Sequence, residues 1–201
     1  MTPSLRHPCA KLRYLLGLGW LLCSLALSAS PLEQGIAAFQ AGDYQQAFAL
    51  WKPLAEANDA KAQYNIGLLY LHGLGVERNA EYARILFLAA ARQDMVEAQY
   101  NLGLLLYDGL GVFRNSREAH RWWSLAAQQG HAPSRYNLGH IYIRGIGAER
   151  DVDRGLALWE AAAAQGYPEA IEALARVYAS GEIDGRRDPQ RAAYWQQRLA
   201  P

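Results

Sequence analysis

The sequence predicts an all-α solenoid built from antiparallel helix pairs, and two observations lead to this prediction. The string from Ala62 to Gly75 returns with few changes at residues 98–111 and 134–147, and in a weaker form from Ala170 onward, each time after 36 residues. A fixed period of this length is typical of solenoids, in which each unit buries its apolar face against its neighbours. Within each string, small and apolar residues recur at helical spacing.

The first helix of each unit is defined by positions such as Ala62, Ile66 and Tyr70, which fall on one helical face. We expect this helix to end at a glycine, because glycine adopts the left-handed conformation without a Cβ penalty. The predicted terminators are Gly73, Gly109, Gly145 and Gly181.

The second helix is expected to begin after a side chain that caps the free N–H groups of its first turn. It should end at a residue type that tolerates the left-handed conformation. The predicted N-caps are Asn79, Asn115, Asp151 and Asp188. The predicted ends are Asn58, Asp94, Gly130 and Gly166. Each unit is therefore predicted to be two antiparallel helices.

Packing between the helices is predicted from two small positions that face each other, one on each helix of a unit, and from one bulky position per unit. Small residues let two helix axes approach to about 8 Å, and bulky aromatic residues are expected to wedge between successive units. The small residues of the first helices are Gly67, Gly103, Gly139 and Ala175. The small residues of the second helices are Ala47, Ala83, Ala119, Gly155 and Ala192. The bulky residues are Trp51, Phe87, Trp123 and Trp159.

The motif of one unit reads Ala98, Leu102-Gly103, Gly109-Leu-Gly-Val112, Arg114-Asn115, Ala119, Trp122-Trp123 and Ala126-Ala-Gln-Gln-Gly130. It resembles the Sel-like repeat, a relative of the tetratricopeptide repeat, and the resemblance covers nearly all of the chain after the first 30 residues. The resemblance implies a right-handed α-helical superhelix that acts as an adaptor or scaffold, often in bacterial cell envelopes.

The repeats divide the chain into a leader and five helix pairs. The predicted segments are a signal peptide (1–28), an opening pair that resembles a plain tetratricopeptide unit (31–59), three Sel-like repeats (60–94, 95–130 and 131–166) and a degenerate C-terminal repeat (167–201). The last repeat departs from the pattern because Ala175 replaces the glycine and Glu182-Ile-Asp-Gly185 replaces the Gly-x-Gly loop.

The leader has the organisation of a secretory signal peptide. Arg6, Lys11 and Arg13 precede an uncharged run from Tyr14 to Leu27, and small residues follow. At about 1.5 Å per residue, this run is too short for a bilayer core of about 30 Å, which argues against an uncleaved anchor. We therefore expect a periplasmic or secreted protein with no stable membrane insertion after cleavage.

A lipoprotein is the other alternative for the leader, because Cys23 lies within it. Bulky Trp20 and Leu22 stand where lipoprotein processing prefers small residues. Both cysteines, Cys9 and Cys23, fall in the leader, so the remaining chain has no disulfide and no thiol nucleophile.

Charge argues against nucleic acid as a partner. Removing the leader's three basic residues from the 20 Lys and Arg leaves 17, against 19 Asp and Glu. A nearly neutral chain lacks the basic excess that nucleic acid or an anionic membrane surface would require.

Catalytic patterns are scarce, and we predict no enzyme, no cofactor and no metal site. The histidines after the leader are His72, His120, His131 and His140, and they form no His-x-x-x-His motif. His120 and His131 are interpreted as surface residues. Gly73-Leu-Gly75 and its copies lack the Lys-Ser/Thr ending of a phosphate loop and are interpreted as turns.

The candidate binding surface is one face of the first helices, which we call the first-helix face and expect to line the inner groove. Its framework part is Tyr64, Asn65, Leu68, Tyr100, Asn101, Leu104, Tyr136 and Asn137. Its variable part is His72, Asp108, His140, Arg144, Glu172 and Arg176. The Tyr-Asn pairs could equally make local hydrogen bonds, and Glu172 and Arg176 could form an i,i+4 ion pair.

Three functions are compatible with this surface. The favoured one is an exported interaction module that binds a protein or extended peptide, with binding centred on Tyr136, His140 and Arg144. His140 would then make binding sensitive to pH near 6.5. A cell-envelope saccharide or peptidoglycan binder, with tyrosines stacking on sugar rings, is the alternative. A hydrolase is a third.

Overall fold

The computed structural model of the protein describes residues 29–199, which form ten α-helices and no β-strand. The helices are α1 (Pro31–Gln40), α2 (Tyr44–Glu56), α3 (Ala60–His72), α4 (Ala80–Ala91), α5 (Val96–Asp108), α6 (Ser116–Gln128), α7 (Ala132–Arg144), α8 (Val152–Ala163), α9 (Pro168–Ser180) and α10 (Pro189–Gln196). The predicted signal peptide, both cysteines and residues 200–201 lie outside the described residues.

The predicted α-solenoid is confirmed, because the helices form five antiparallel pairs that pack in chain order. Odd-numbered helices are the first helices of their units and even-numbered helices the second. The first helices α3, α5, α7 and α9 begin 36 residues apart, and so do the second helices α2, α4, α6 and α8. The two ends of the array depart from this period, because α1 begins only 29 residues before α3 and α10 begins one residue late, at Pro189.

The predicted caps are also confirmed. The four terminating glycines are all left-handed, with φ of 71° at Gly73, 77° at Gly109, 68° at Gly145 and 73° at Gly181. Asn79, Asn115, Asp151 and Asp188 each accept a hydrogen bond from a backbone N–H of the first helical turn. The four residues predicted to end the second helices also have positive φ, namely Asn58, Asp94, Gly130 and Gly166.

The bulky aromatic residues pack differently from the prediction, because their principal contacts lie inside their own unit. A Cβ on Gly103 would lie 2.5 Å from Trp123 Cδ1, so the indole occupies the space that the glycine leaves. The Trp123 Nε1 donates to the Tyr100 carbonyl oxygen at 3.1 Å. Trp159 makes the same bond to Tyr136, at 3.0 Å. The glycine therefore admits the aromatic ring of the second helix, and at Gly139 it also allows close approach to the backbone of Gly155, a small residue of α8.

Successive units are joined through the Gly-x-Gly loops. A Cβ on Gly111 would lie 2.5 Å from the backbone nitrogen of Glu81, in the second helix of the preceding unit. Gly75 approaches the backbone of Tyr44 and Gln45 in the same way. The second glycine of the motif therefore lets each loop contact the N-terminus of the preceding second helix.

The last unit makes this connection with ion pairs instead. Arg150 bonds to Asp184 at 2.7 Å, and Asp153 accepts from Arg186 at 2.6 Å, so the middle of the 182–187 loop is tied to residues at the start of α8 and just before it. Arg191 also pairs with Glu160. These charges take the place of the close glycine contact in the earlier units.

Candidate functional site

The first-helix face is continuous from one unit to the next because its tyrosines and asparagines bond across units. Asn101 Nδ2 donates to the Tyr64 hydroxyl at 3.2 Å. Asn137 donates to the Tyr100 hydroxyl in the same way, which partly offsets the rise that burial causes in the pKa of Tyr100. The local hydrogen-bonding interpretation of the Tyr-Asn pairs is therefore correct for these two asparagines.

The tyrosine rings of this face lie against other rings rather than standing free. Tyr64 tilts onto Phe87, with ring centroids 5.7 Å apart. Tyr100 lies 4.9 Å from the His131 ring. Tyr136 stacks on Trp159 at an interplanar angle of 29°, with centroids 5.8 Å apart. One side of each tyrosine ring therefore packs against another ring of the protein.

His140 is half-buried and lies beside the Trp159 ring, with centroids 4.8 Å apart. Burial, together with Arg144 and Arg176, lowers the pKa of His140 to about 4. The expectation that His140 would confer pH sensitivity near 6.5 is therefore wrong, because an imidazole with a pKa of about 4 is already neutral at pH 6.5. The sequence could not show this, since Trp159 and Arg176 belong to other helices.

The arginines of the face differ in their partners. Arg176 bonds to Glu182 at 3.1 Å, so the predicted ion pair between Glu172 and Arg176 is replaced by a pair with the following loop. Arg144 is exposed at the end of α7 and makes no ion pair within residues 29–199. Arg144 is thus the cation of this face that is left for an external group.

His120 and His131 are partly exposed and each bonds within the protein, so their interpretation as surface residues holds only in part. His120 is half-buried and its Nε2 bonds to the Tyr142 hydroxyl at 2.9 Å. His131 caps α7 through Nδ1, which accepts from the backbone N–H of Ser134. Burial lowers the pKa of both rings. The His131 Nδ1 also lies 2.9 Å from the Ser134 hydroxyl, but Ser134 is fully buried, which does not suit a nucleophile that must reach a substrate.

Residues 29–199 contain neither a membrane-spanning helix nor a cluster of metal ligands. None of their helices is both long and apolar enough to cross a membrane. Their His, Cys, Asp and Glu side chains do not gather in groups of three that could hold a metal ion.

One prominent surface residue was not predicted from the sequence. Phe113, in the loop between α5 and α6, is 95% exposed, and Leu110 beside it is 41% exposed. The equivalent positions of the neighbouring repeats are Glu77 and Glu149. This break in the repeat was the signal that could have singled out Phe113, and it makes the loop a rival surface for binding.

The stacked helix pairs, joined by tyrosine–asparagine bonds and glycine loops, define a helical-repeat protein of the α-solenoid class. The Sel1 repeat model matches five consecutive segments, at residues 26–59, 60–95, 96–131, 132–167 and 168–200. The chain therefore belongs to the Sel1 repeat family. The model also takes the opening pair as a Sel1 repeat, although the sequence suggested a plain tetratricopeptide unit there.

Two solved structures are similar over most of the chain. A Sel1 repeat protein from Oxalobacter formigenes is 34% identical with a TM-score of 0.77, and the match covers 86% of this chain and 68% of that one. The protective antigen c5321 of uropathogenic Escherichia coli, which has an SLR fold, is 27% identical with a TM-score of 0.75. That match covers 85% of this chain and 37% of c5321, so this chain spans little more than a third of c5321. No curated protein is significantly similar to this chain.

Proteins of the Sel1 repeat family generally serve as protein-interaction scaffolds and are typically non-catalytic. Membership of the family therefore indicates a general role in protein interaction for this chain.

Proposed function

We propose that this protein is an exported, non-catalytic interaction module that binds a protein or an extended peptide along the first-helix face. The observation that carries the proposal is the row of amides on this face. Asn101 donates one amide N–H to a tyrosine of the preceding unit, and Asn137 does the same. Each amide retains a second N–H and a carbonyl oxygen, which can bond to an extended backbone.

Apolar side chains lie beside these amides. Leu68 and Leu104 are half-buried and pack against the core, at the same position of consecutive units. An extended peptide offers backbone polar groups and alternating side chains, so it suits a face that repeats an amide and a leucine. The residues proposed to bind remain Tyr64, Asn65, Tyr100, Asn101, Tyr136, Asn137, His140, Arg144 and Arg176.

The saccharide alternative receives less support from the geometry. Sugar binding would need the flat faces of the tyrosines, but Tyr64, Tyr100 and Tyr136 each lie against another ring. We therefore retain peptide or protein as the ligand class, and glycan binding becomes an outcome of the test.

The test begins with randomised nonapeptides displayed on phage, from which those that bind the purified protein are selected. Binding of the selected peptides is then compared between two matched variants. Leu104→Arg places a charge on the first-helix face, whereas Leu125→Arg places one at a leucine of α6 that is 41% exposed. We expect the selected peptides to lose binding to the first variant and keep it to the second. Equal binding to both, or binding only to solubilised peptidoglycan fragments, would contradict the proposal.

Export is tested separately, at the N-terminus of the protein from producing cells. We expect the chain to begin near residue 29, because the short apolar run with its basic flank has the form of a cleaved leader. N-terminal sequencing that found Met1, or a lipidated Cys23, would contradict the cleaved leader.

A further inference from the structure

We infer that Tyr136, His140 and Arg144 form a subsite for a carboxylate at one end of the first-helix face. This inference rests on the proposed function, since the carboxylate belongs to the bound peptide. The three residues lie one helical turn apart on α7 and share a face. The Tyr136 and His140 rings touch edge to face, with centroids 4.6 Å apart.

The first observation is a break in the tyrosine–asparagine bonds. The hydroxyls of Tyr64 and Tyr100 are each bonded by an asparagine 37 residues later. The corresponding residue for Tyr136 is Ala173, which has no polar side chain. Within residues 29–199, the Tyr136 hydroxyl therefore lacks the amide that its two equivalents have. It is left to bond to water or to a ligand.

The second observation is the distribution of charge around the subsite. Arg144 and Arg176 are the charged residues whose fields act on the His140 ring. Arg176 is paired with Glu182, whereas Arg144 has no ion-pair partner in the described part of the chain. Tyr136 lies in the field of the same two arginines and also of the acids of α9, Glu169 and Glu172, which do not act on His140. The positive side of the subsite is therefore the end that holds His140 and Arg144.

The donors available there suit a carboxylate. A guanidinium presents two parallel N–H groups that match the two oxygens of a carboxylate. The neutral imidazole of His140 carries one N–H, and the Tyr136 hydroxyl supplies another donor. The earlier units place Leu68 and Leu104 on the same face, so the peptide should be apolar along α3 and α5 and acidic at α7. The carboxylate is either the peptide's C-terminus or an Asp or Glu side chain.

The test uses synthetic versions of the nonapeptides selected on phage, in three matched series. One series has a free C-terminus and no acidic side chain, the second has an amidated C-terminus and one Asp or Glu, and the third is amidated with Asn or Gln. Affinity is measured by isothermal titration calorimetry for the wild type, Arg144→Gln and the control Arg117→Gln. Arg117 is exposed in the first turn of α6 and makes no ion pair among the described residues.

We expect the peptides of at least one carboxylate series to bind about tenfold or more tightly than the amide series. Arg144→Gln should remove that preference, and Arg117→Gln should keep it. Whichever carboxylate series shows the effect identifies the source of the anion. Equal affinity for all three series, with loss of binding in Leu104→Arg, would overturn the carboxylate subsite and leave the proposed function standing. Binding that survives in Leu104→Arg, or no selected peptide at all, would overturn both.

Discussion

Trp123 donates a hydrogen bond from its indole Nε1 to the carbonyl oxygen of Tyr100, 3.1 Å away, and the same indole occupies the space that Gly103 leaves. Three of the five units repeat the arrangement, since Trp51 bonds to Leu32 and Trp159 to Tyr136. The small residue and the aromatic ring thus pack as one unit, and substituting either residue should disturb the packing of the other.

Gly103→Ala is expected to lower the free energy of unfolding by about 1–3 kcal/mol, because the new Cβ would lie 2.5 Å from Trp123 Cδ1. Urea denaturation measures the loss. In the Trp123→Leu background the same substitution should cost much less, since the ring that it displaces is gone. An equal cost in both backgrounds would contradict the assignment.

Gly111→Ala tests the connection between units, with Gly130→Ala as its matched control. Both glycines have positive φ, 68° and 92°, so both substitutions carry a left-handed cost of about 1–2 kcal/mol. Only Gly111 also approaches a neighbouring unit, at 2.5 Å from the nitrogen of Glu81. We expect Gly111→Ala to destabilise by at least about 1 kcal/mol more than Gly130→Ala. Equal thermal and urea stability would mean that the loop does not hold the units together.

His140→Ala is expected to cost more than the roughly 0.5 kcal/mol of an ordinary surface truncation, because the ring packs beside Trp159 at 4.8 Å. This revises the expectation, drawn from the sequence, that the residue stands in an open groove. Gly103→Val should still be the more harmful change, since a branched side chain would overlap the Trp123 ring. Thermal melts of the two variants would settle their order.

His140 should also make stability fall in acid. The folded ring has a pKa of about 4, whereas the unfolded one titrates near 6.5. Between these values the unfolded chain binds more protons, so stability rises with pH there and is lost as the pH falls from 6.5 towards 4. Urea denaturation across this range should show a smaller loss in His140→Gln than in the wild type. An identical loss in both proteins would contradict a buried, neutral His140.

The C-terminal unit should open before the central ones. Each unit contacts only its neighbours, and α10 is an eight-residue helix that buries only Ala192 and Trp195. The ion pairs that join this unit to α8, Arg186–Asp153 and Arg191–Glu160, are partly exposed and each contributes about 0–1 kcal/mol. Hydrogen exchange should therefore protect residues 60–163 more than residues 189–199. Equal protection to the end would contradict this account and indicate that something covers α10.

The sequence predicted the features that depend on a few neighbouring residues. Gly73 and Asn79 act through their own backbone or their own first turn, so local chemistry and the 36-residue period sufficed for them. Contacts between distant segments were not predicted. The fully buried Gln99 accepts a hydrogen bond from Gln129, 30 residues away. No local sequence pattern predicts this hydrogen bond.

In the candidate site, too, the features set by neighbouring residues were predicted and the contacts between separate elements were not. The first-helix face and its tyrosine and asparagine positions followed from helical spacing. The pKa of His140, the pairing of Arg176 with Glu182 and the exposure of Phe113 depend on how separate elements pack. For this reason the sequence identified the surface but gave His140 the wrong electrostatic role.

Site-specific photo-crosslinking tests the central claim most directly, namely that the first-helix face is the binding surface. A photoreactive phenylalanine analogue replaces Leu104 on that face in one protein, and the 95% exposed Phe113 in another. Both are irradiated in the producing cells, and adducts are identified by mass spectrometry. The account predicts a discrete peptide or protein adduct at position 104 and none at 113. An adduct at 113 with none at 104 would contradict it and move the binding surface to the loop between α5 and α6.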